Sequence, residues 1–207
     1  MKEYPSILKE QNKDLSYYVF DKLDGSNIRA EWSKKQGFCK FGSRHVLLDE
    51  NDTNNKLSIA PALIKEKYQD VSVILKKMNV ERATLFFEFY GEQSFAGNHV
   101  EFNDNKKVVL FDVDLYKKGL MMPDDYLKSF GHLDIAPLLY HGKVHSDLFD
   151  AVKLSQLEGM TFEGVVCKAR PANKKPQPFM FKIKSQAWLD KLHHFCGDDA
   201  ELFKKLM

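Results

Sequence analysis

The sequence from Tyr17 to Asn27 reads YYVFDKLDGSN and places one lysine between a short apolar run and a turn. Its first four residues are aromatic or β-branched, which favours a β-strand. Asp-Gly and Ser-Asn pairs are typical of turns, so the strand should end near Lys22. The ordinary interpretation of Lys22 is a surface residue at a strand end. A catalytic interpretation needs its amine unprotonated, and a reference pKa of about 10.4 leaves under about 0.1% of it free at pH 7.

The residues around this stretch predict further strands and helices. The predicted strands cover residues 17–20, 28–33, 38–48, 85–90, 108–115, 135–140, 165–168 and 179–183. The predicted helices cover residues 60–78 with a break near Asp70, 123–130, 147–157 and the chain from 186 onward. Pro137 indicates that the strand at 135–140 is an edge strand or contains a bulge. Helices are interspersed among strands without strict alternation, which predicts an α+β fold of antiparallel sheets flanked by helices.

The composition is that of a globular protein with an apolar core. The chain has 207 residues, of which 43% are hydrophobic and 29% charged, and this excludes a disordered or collagen-like chain. No apolar run approaches the about 18 residues of a transmembrane helix, and the first residues lack the apolar core of a signal peptide. Three cysteines without a C-x-x-C pair suit a reducing compartment. We therefore expect a cytoplasmic protein that does not enter a membrane.

Positive charge is concentrated in one segment. The net charge is only +2, yet six basic residues and no acidic residue occur between Lys168 and Lys184. Without those six, the chain has 25 basic and 29 acidic residues, a charge of −4. This distribution predicts either a local phosphate-binding site or a solvated lysine-rich loop. Lys174 and Lys175 lie in the loop between the two strands of this segment.

Two glutamates occur in strongly apolar surroundings. Glu163 directly precedes the core-forming run 164–167, and Glu88 lies inside the run 85–90. A carboxylate near phosphates usually acts by holding Mg²⁺, although Glu163 could also be a surface acid at a strand end. Because an unpaired carboxylate is costly in a core, we expect Glu88 to face a cleft and to accept hydrogen bonds from ligand hydroxyls.

Two lysines follow each other at strand spacing in Phe181-Lys182-Ile183-Lys184. Side chains two residues apart on a strand share a face, so both ammonium groups should point to one spot while Ile183 enters the core. Such a pair is costly unless an anion lies between the two charges. The pair would also supply the positive potential that lowers the pKa of a neighbouring lysine such as Lys22.

Five of these segments occur in the order found in the covalent nucleotidyltransferases. Lys22-x-Asp24-Gly25 resembles motif I of ATP-dependent DNA ligases, RNA ligases and mRNA capping enzymes. The segments that resemble motifs III, IIIa, IV and V are, in this order, Phe86–Gly91, Val109–Val113, Glu163–Val166 and Phe181–Lys184. The continuation Ser26-Asn27 and the pair Ser43-Arg44 resemble the RNA ligase 2 branch more than the DNA ligases.

The resemblance implies which residues carry out the phosphate chemistry. Lys22 would attack the α-phosphate of ATP and form a lysyl-AMP phosphoramidate with release of pyrophosphate. Lys182 and Lys184 would contact that phosphate, and Glu163 would help to hold Mg²⁺ or Mn²⁺. In-line phosphoryl transfer depends mostly on positioning and charge neutralisation, which two lysines and a metal ion would supply.

The resemblance also implies which residues bind the nucleotide. Glu88 would bind the ribose hydroxyls and Phe111 would stack on adenine, whereas Asp24 and Arg44 would belong to the nucleotide-binding set. Asn27 would also contact the nucleotide and act mainly when the nick is sealed. Glu92 directly follows Gly91 and competes with Glu88 for the role of binding the ribose. Glu88 is favoured because it lies three residues before the glycine, as in the RNA ligase 2 pattern.

The function implied by the resemblance is that of an ATP-dependent RNA ligase. Such an enzyme joins 3′-hydroxyl and 5′-phosphate nucleic-acid ends through lysyl-AMP. We expect residues 1–207 to form a single nucleotidyltransferase domain without an appended OB-fold domain, with the basic loop 168–175 holding the strand. The alternatives are a minimal ATP-dependent DNA ligase, a GTP-using guanylyltransferase of the capping type, and a non-catalytic nucleotide- or RNA-binding module.

Overall fold

The computed structural model describes residues 1–7, 10–52, 54–99, 105–171 and 177–207. Its elements, in chain order, are β1 (Tyr17–Asp21), β2 (Ser26–Ser33), β3 (Gly37–Gly42), α1 (Ala60–Lys67), α2 (Asp70–Lys77), β4 (Arg82–Tyr90), β5 (Lys107–Leu115), β6 (Gly119–Leu120), α3 (Pro123–Phe130), β7 (Leu138–Gly142), α4 (Ser146–Lys153), β8 (Gly164–Ala169), β9 (Phe179–Lys184), α5 (Gln186–Cys196) and α6 (Ala200–Leu206). The α+β prediction is confirmed. None of the helices in the described ranges is both long and apolar enough to span a bilayer.

The contacts of the chain group it into two compact units, each with its own antiparallel sheet. Unit 1 consists of the described residues of Met1–Ser6, Gly25–Ala136 and Pro171–Pro178. Unit 2 consists of the described residues of Ile7–Asp24, Pro137–Arg170 and Phe179–Met207. The chain passes from unit 2 to unit 1 inside the Asp24-Gly25 pair, so the motif around Lys22 contributes residues to both units.

The sheet of unit 1 has one apolar and one polar face. Its strand order is β3-β2-β4-β5-β6. Because side chains alternate along a strand, Ile28 and Trp32 on β2 and Phe87 on β4 share one fully buried face. Trp32 Nε1 donates a hydrogen bond to Ser72 Oγ of α2 at 2.8 Å, which fixes that helix against the apolar face. The other face, called the polar face below, carries the polar side chains, among them Glu88, together with the buried Phe86.

An N-terminal segment, Met1–Ser6, packs on the polar face of the same sheet. The Tyr4 hydroxyl donates to Asp112 Oδ2 at 2.9 Å. The Tyr4 ring meets the rings of Phe86 and Phe111 nearly edge-on, with centroids 5.0 Å apart in both pairs. Burial and the neighbouring Asp112 carboxylate raise the pKa of Tyr4 well above its usual value, so its hydroxyl stays a donor.

The sheet of unit 2 has the strand order β7-β1-β8-β9 and encloses a smaller apolar core. Its fully or almost fully buried members on β1, β8 and β9 are Tyr17, Val19, Val165, Cys167, Ala169, Phe181 and Ile183. Val152 of α4 completes this core. Strand β7 lies at the sheet edge and its pairing with β1 shifts between Val19 and Phe20, as Pro137 led us to expect.

Several boundaries differ from the sequence-based expectations; for example, the helix expected over residues 147–157 ends at Lys153, and the strand expected from residue 85 begins at Arg82. The turn expected over residues 23–27 is shorter, because Ser26 and Asn27 already pair with β4 as the first residues of β2. The strand expected over residues 38–48 ends at Gly42. The strand expected over residues 135–140 begins only at Leu138, because Pro137 has no N–H to donate; its carbonyl accepts the Asp21 N–H at 2.8 Å.

Candidate active site

Lys22 lies directly after β1 and beside the first residue of β8. Its backbone N–H donates to the Gly164 carbonyl at 2.9 Å, which continues the β1–β8 pairing by one residue. Its Nζ lies 2.8 Å from Glu163 Oε2, and its side chain is 23% exposed. Lys22 is therefore held at a strand end, as predicted, but it is paired with a buried carboxylate and remains reachable from solvent.

Glu163 is shared by two lysines. Its second oxygen, Oε1, lies 3.0 Å from Lys184 Nζ. Both partners in this pair are buried, with side chains only 6% and 7% exposed for Glu163 and Lys184. One carboxylate therefore stands between two ammonium groups, which leaves a net positive charge at the start of β8 and the end of β9. A phosphate group, which is negatively charged, would neutralise this excess positive charge.

The pKa of Lys184 is shifted strongly by its surroundings. This pKa is lowered from 10.5 to about 8, chiefly by burial and in addition by the positive charges of Lys22 and Lys182. Glu163 opposes this shift through its charge and its hydrogen bond. The strand spacing predicted that Lys182 and Lys184 would act on Lys22, and in the structure the charges of Lys22 and Lys182 lower the pKa of Lys184.

Close approach of β8 to β9 holds Glu163 in this position. Gly164 has a φ of +136°, and a Cβ at this residue would lie 2.1 Å from the Ile183 carbonyl oxygen. The Ser185 N–H donates to the Glu163 carbonyl at 2.9 Å, and Ser185 Oγ donates to the Phe162 carbonyl at 2.7 Å. The glycine after Glu163 and the serine after Lys184 thus fix the two charged residues against each other.

Lys182 shares a strand face with Lys184 but has a different contact. It is half-buried, and its Nζ donates to the main-chain oxygen of Met207 at 2.6 Å. Its charge still lowers the pKa of Lys184, so the two ammonium groups interact as the spacing predicted.

The Asp24 carboxylate accepts a hydrogen bond from the indole of a tryptophan. Trp188 Nε1 donates to Asp24 Oδ2 at 2.8 Å. The same Trp188 ring lies under Lys184, with Nζ 3.4 Å from a ring centroid. The structure therefore brings Lys22, Asp24, Glu163, Lys182 and Lys184 together in unit 2.

The four other residues that the sequence singled out belong to unit 1. Asn27 and Glu88 are direct partners across the β2–β4 ladder and are both half-buried. Asn27 Oδ1 is one of two buried side-chain oxygen or nitrogen atoms in the described ranges that have no hydrogen-bond partner, the other being Asp21 Oδ2. A buried acceptor of this kind costs about 1–3 kcal/mol when it stays unsatisfied, so a donating ligand group would stabilise Asn27.

Phe111 and Arg44 occupy special backbone positions in unit 1. The β4–β5 pairing jumps from Asp112 to Leu110, which makes the half-buried Phe111 the extra residue of a bulge. Arg44 is exposed in the bend after β3. The buried Arg29 fixes that bend, since its Nε donates to the Ser43 carbonyl at 2.6 Å.

Glu88 and Glu92 occupy different settings. Glu88 lies within β4 on the polar face, whereas Glu92 is exposed in the turn that follows. A strand position opposite Asn27 suits a residue that accepts hydrogen bonds from ligand hydroxyls. This setting agrees with the preference for Glu88 that the sequence pattern indicated.

Glu163 is the residue that the resemblance assigned to a metal ion. Within the described part of the chain, no group of three or more His, Cys, Asp or Glu side chains could hold a metal. Mg²⁺ is commonly bound through one or two carboxylates together with substrate phosphates, so a single glutamate is compatible with it. The two lysines on Glu163 mean that a metal would have to replace or share one of these contacts.

The basic segment is only partly accessible. Lys168 is buried, with its Nζ 5.2 Å from the Phe20 ring centroid, and Lys184 is buried as well. The interpretation as a uniformly solvated lysine-rich loop is therefore wrong for these two residues. Lys174 and Lys175, which were expected to hold the strand, lie outside the described residues.

Three residues that contact the candidate site residues or their neighbours were not identified from the sequence. Trp188 looks like an ordinary core residue of a helix, and Arg29 looks like the outward position of an alternating strand. Tyr4 precedes every element and gave no periodic signal. For Trp188 alone a signal existed: a buried indole N–H needs an acceptor, and this one lies four residues after Lys184.

Comparison with known proteins identifies the family. The family model for RNA ligase matches residues 15–184. No curated protein sequence matches this one. Solved structures of Naegleria gruberi RNA ligase match the fold: a mutant with AMP and Mn is 21% identical with a TM-score of 0.63, covering 91% of this chain and 59% of that one. A mutant with ATP and Mn is 20% identical with a TM-score of 0.60 and coverages of 87% and 52%.

A third structure, the same ligase with pyrophosphate, is 19% identical, with a TM-score of 0.61 and coverages of 91% and 59%. This chain thus spans little more than half the length of the structures that it matches. The fold is common to all three, and the family match runs from before β1 to the end of β9. The chain belongs to the RNA ligase family.

Proposed function

We propose that this chain is an ATP-dependent RNA ligase that joins 3′-hydroxyl and 5′-phosphate ends through a lysyl-AMP at Lys22. The observation that carries the proposal is the ion-paired cluster of Lys22, Glu163 and Lys184, at 2.8 and 3.0 Å. Family membership over residues 15–184 supports it, as do the related structures with ATP, AMP or pyrophosphate. The match covers residues of both units, which supports the expected single nucleotidyltransferase domain.

In the first step, the Lys22 amine attacks the α-phosphate of ATP. An N–P bond forms, the bond from the α-phosphorus to the bridging oxygen breaks, and pyrophosphate leaves. Glu163 Oε2 already accepts a hydrogen bond from Lys22 Nζ and orients the amine, which loses its proton to solvent because the Lys22 side chain is 23% exposed. Lys182 and Lys184 neutralise the charge that builds up on the α-phosphate oxygens.

The later steps use the same lysine cluster. The AMP moves from Lys22 to a 5′-phosphate end, and a 3′-hydroxyl then attacks that phosphate and releases AMP. Asn27 Oδ1, a buried acceptor without a partner, is suited to a hydroxyl of the nucleotide or of the strand. Glu88 binds the ribose hydroxyls, Phe111 stacks on the adenine, and Arg44 contacts phosphate.

The residue that would hold Mg²⁺ or Mn²⁺ is Glu163, with phosphate oxygens as the remaining ligands. The metal would supply further neutralisation of phosphate charge. Conversion of Lys22 to a phosphoramidate removes its ammonium charge, which frees Glu163 Oε2 from one ion pair. We also propose that the protein works in the cytoplasm on RNA ends.

The test is labelling followed by a chase. The chain is incubated with Mg²⁺ and ATP or GTP labelled at the α-phosphate, and the denatured protein is examined for bound label. We expect labelling from ATP, loss of label in Lys22→Ala, and retention in Lys13→Ala, an exposed lysine of unit 2. Isolated labelled protein, mixed with nicked RNA, should then pass its label to a 5′-phosphate.

Other outcomes identify the alternatives. Preference for GTP would favour a guanylyltransferase, and transfer to DNA ends alone would favour a DNA ligase. The absence of covalent label despite nucleotide binding would favour a non-catalytic module. Each of these results would overturn the RNA ligase proposal.

A further inference from the structure

Trp188 makes two polar contacts from a buried position in unit 2. The residue is 1% exposed. Its Nε1 donates to Asp24 Oδ2 at 2.8 Å, and the face of its ring lies 3.4 Å from Lys184 Nζ. A buried indole N–H needs an acceptor, but a neutral hydroxyl is sufficient, as Ser72 Oγ is for Trp32. A carboxylate on the N–H and an ammonium group on the ring face are more than packing requires, since burying charge is costly.

The start of α5 places the indole at this point. Ser185 caps the helix by accepting the Trp188 N–H at 3.1 Å, while its own N–H donates to the Glu163 carbonyl. The first turn of α5 is therefore fixed to the residue that binds both lysines. Because Trp188 lies in this first turn, close to the end of β9, its ring contacts the Lys184 ammonium group.

Together these contacts form a continuous chain through the site. It runs from Asp24 to Trp188, on to Lys184 and Glu163, and ends at Lys22. Its two ends are only two residues apart in the Lys22-x-Asp24 motif. A shift of the indole would therefore move an anion on one side and a cation on the other.

We propose that Trp188 is a positioning residue for nucleotidyl transfer, which orients Asp24 through its N–H and holds the Lys184 ammonium on its ring face. This inference rests on the proposed ligase function. Cation–π contact is strongest for tryptophan, and a hydrogen bond to a carboxylate is stronger than one between neutral groups. The two contacts act on different atoms of the ring, so substitutions can separate them.

Two substitutions and one matched control carry out this separation. Trp188→Phe keeps an aromatic face for Lys184 and removes the N–H, whereas Trp188→Leu removes both. Trp32→Phe makes the same chemical change at the other tryptophan of the chain, which is also fully buried and also donates from Nε1, but to Ser72 in unit 1. Thermal melting identifies the variants that are folded.

We expect Trp188→Phe to slow lysyl-AMP formation at saturating ATP by about 10-fold or more, with little change in the Michaelis constant. Trp188→Leu should be slower still, and Trp32→Phe should match the unmodified chain. In a double-mutant cycle, Trp188→Phe should add little to the defect of Asp24→Asn. Equal rates in the two Trp→Phe variants, or fully additive effects with Asp24→Asn, would overturn the proposal.

Fluorescence tests the contacts without any catalysis. In Trp32→Phe, Trp188 is the sole tryptophan, so Asp24→Asn or Lys184→Met introduced there should change its emission. In Trp188→Phe, the same two changes should leave the emission of Trp32 unaltered. If neither change alters the emission of Trp188, the inference is contradicted. If the unmodified chain forms no lysyl-AMP, only the ligase function is contradicted.

Discussion

At the residue scale, the site is governed by one carboxylate between two ammonium groups. Glu163 pairs with Lys22 on one oxygen and with Lys184 on the other. In water these contacts would contribute little, but burial of Glu163 and Lys184 makes the balance of charge important. An anionic phosphate is the group that the remaining positive charge attracts. This arrangement supports the nucleophilic role that we propose for Lys22, at a place where the sequence alone allows a surface residue.

The lowered pKa of Lys184 leads to a pH prediction. Its ammonium is the charged form, so a pKa of about 8 instead of 10.5 means that the charge is lost as the pH rises through about 8. We expect kcat/KM for ATP in lysyl-AMP formation to fall above about pH 8, because this parameter reports the free enzyme. Lys184→Arg, which stays charged, should move this fall to higher pH. A fall at the same pH in both proteins would assign it to another group.

A second prediction separates nucleotide binding from the chemical step. Phe111→Ala should weaken ATP use by about 1–3 kcal/mol through the Michaelis constant, as expected for the loss of base stacking. Glu163→Gln should instead reduce the rate at saturating ATP by orders of magnitude. Steady-state kinetics of lysyl-AMP formation measure both effects. A neutral Phe111→Ala, or a Glu163→Gln that only raises the Michaelis constant, would show that these roles are wrongly assigned.

At the element scale, the site depends on how β8 and β9 meet and how α5 begins. Gly164 allows the Ile183 carbonyl to approach at a distance that any Cβ would obstruct. Ser185 then ends β9 and caps α5 while it binds the backbone on both sides of the Phe162-Glu163 bond. The lysine pair at the end of β9 and the glutamate before β8 are brought together by these local interactions.

The glycine requirement can be measured as stability. Gly164→Ala places a Cβ 2.1 Å from a carbonyl oxygen at a φ of +136°, so we expect a loss of about 3 kcal/mol or more in the free energy of unfolding. Gly197→Ala is the matched control, since its φ is also positive at +54° but nothing lies within 4 Å of the added Cβ. It should cost about 1 kcal/mol. Urea unfolding of both variants gives the comparison, and equal losses would contradict the close approach of β8 to β9.

Much of this element structure follows from sequence patterns, and some of it cannot. Alternation in β2 and the apolar run of β4 are local signals, so both strands and the turn near Lys22 were predicted. The partner of Trp188 was not, because Asp24 is 164 residues away in the chain and only the fold brings them together. The bulge at Phe111 likewise depends on pairing with β4, which no local pattern encodes.

At the scale of the whole molecule, charge is distributed unevenly between segments. The chain is nearly neutral, with a net charge of +2, so it should not bind nucleic acid through a uniformly basic surface. Part of the basic segment is buried, since Lys168 and Lys184 lie inside unit 2. Lys168 and Lys184 are therefore withdrawn from the surface that could hold a strand, and we expect electrostatic binding of RNA to be weak.

This distribution predicts that the steps differ in their response to salt. Sealing of RNA with an ordinary 5′-phosphate should decline steeply between about 50 and 200 mM salt, because it requires phosphate contacts along a strand. Lysyl-AMP formation should change little. Replacing Lys174 and Lys175 together by alanine should reduce sealing and spare lysyl-AMP formation. Sealing that is insensitive to salt, or an equal loss in both steps, would contradict this division.

The measurement that tests the central claim most directly is peptide mapping of the adenylated protein by mass spectrometry. The unmodified chain is incubated with ATP and Mg²⁺, digested under mildly alkaline conditions that preserve a phosphoramidate, and searched for a peptide that carries AMP. We predict AMP on the peptide that contains Lys22, and none on any peptide of Lys22→Arg. AMP attached to a different residue, or an unmodified Lys22 after incubation, would contradict a ligase mechanism built on the Lys22–Glu163–Lys184 cluster.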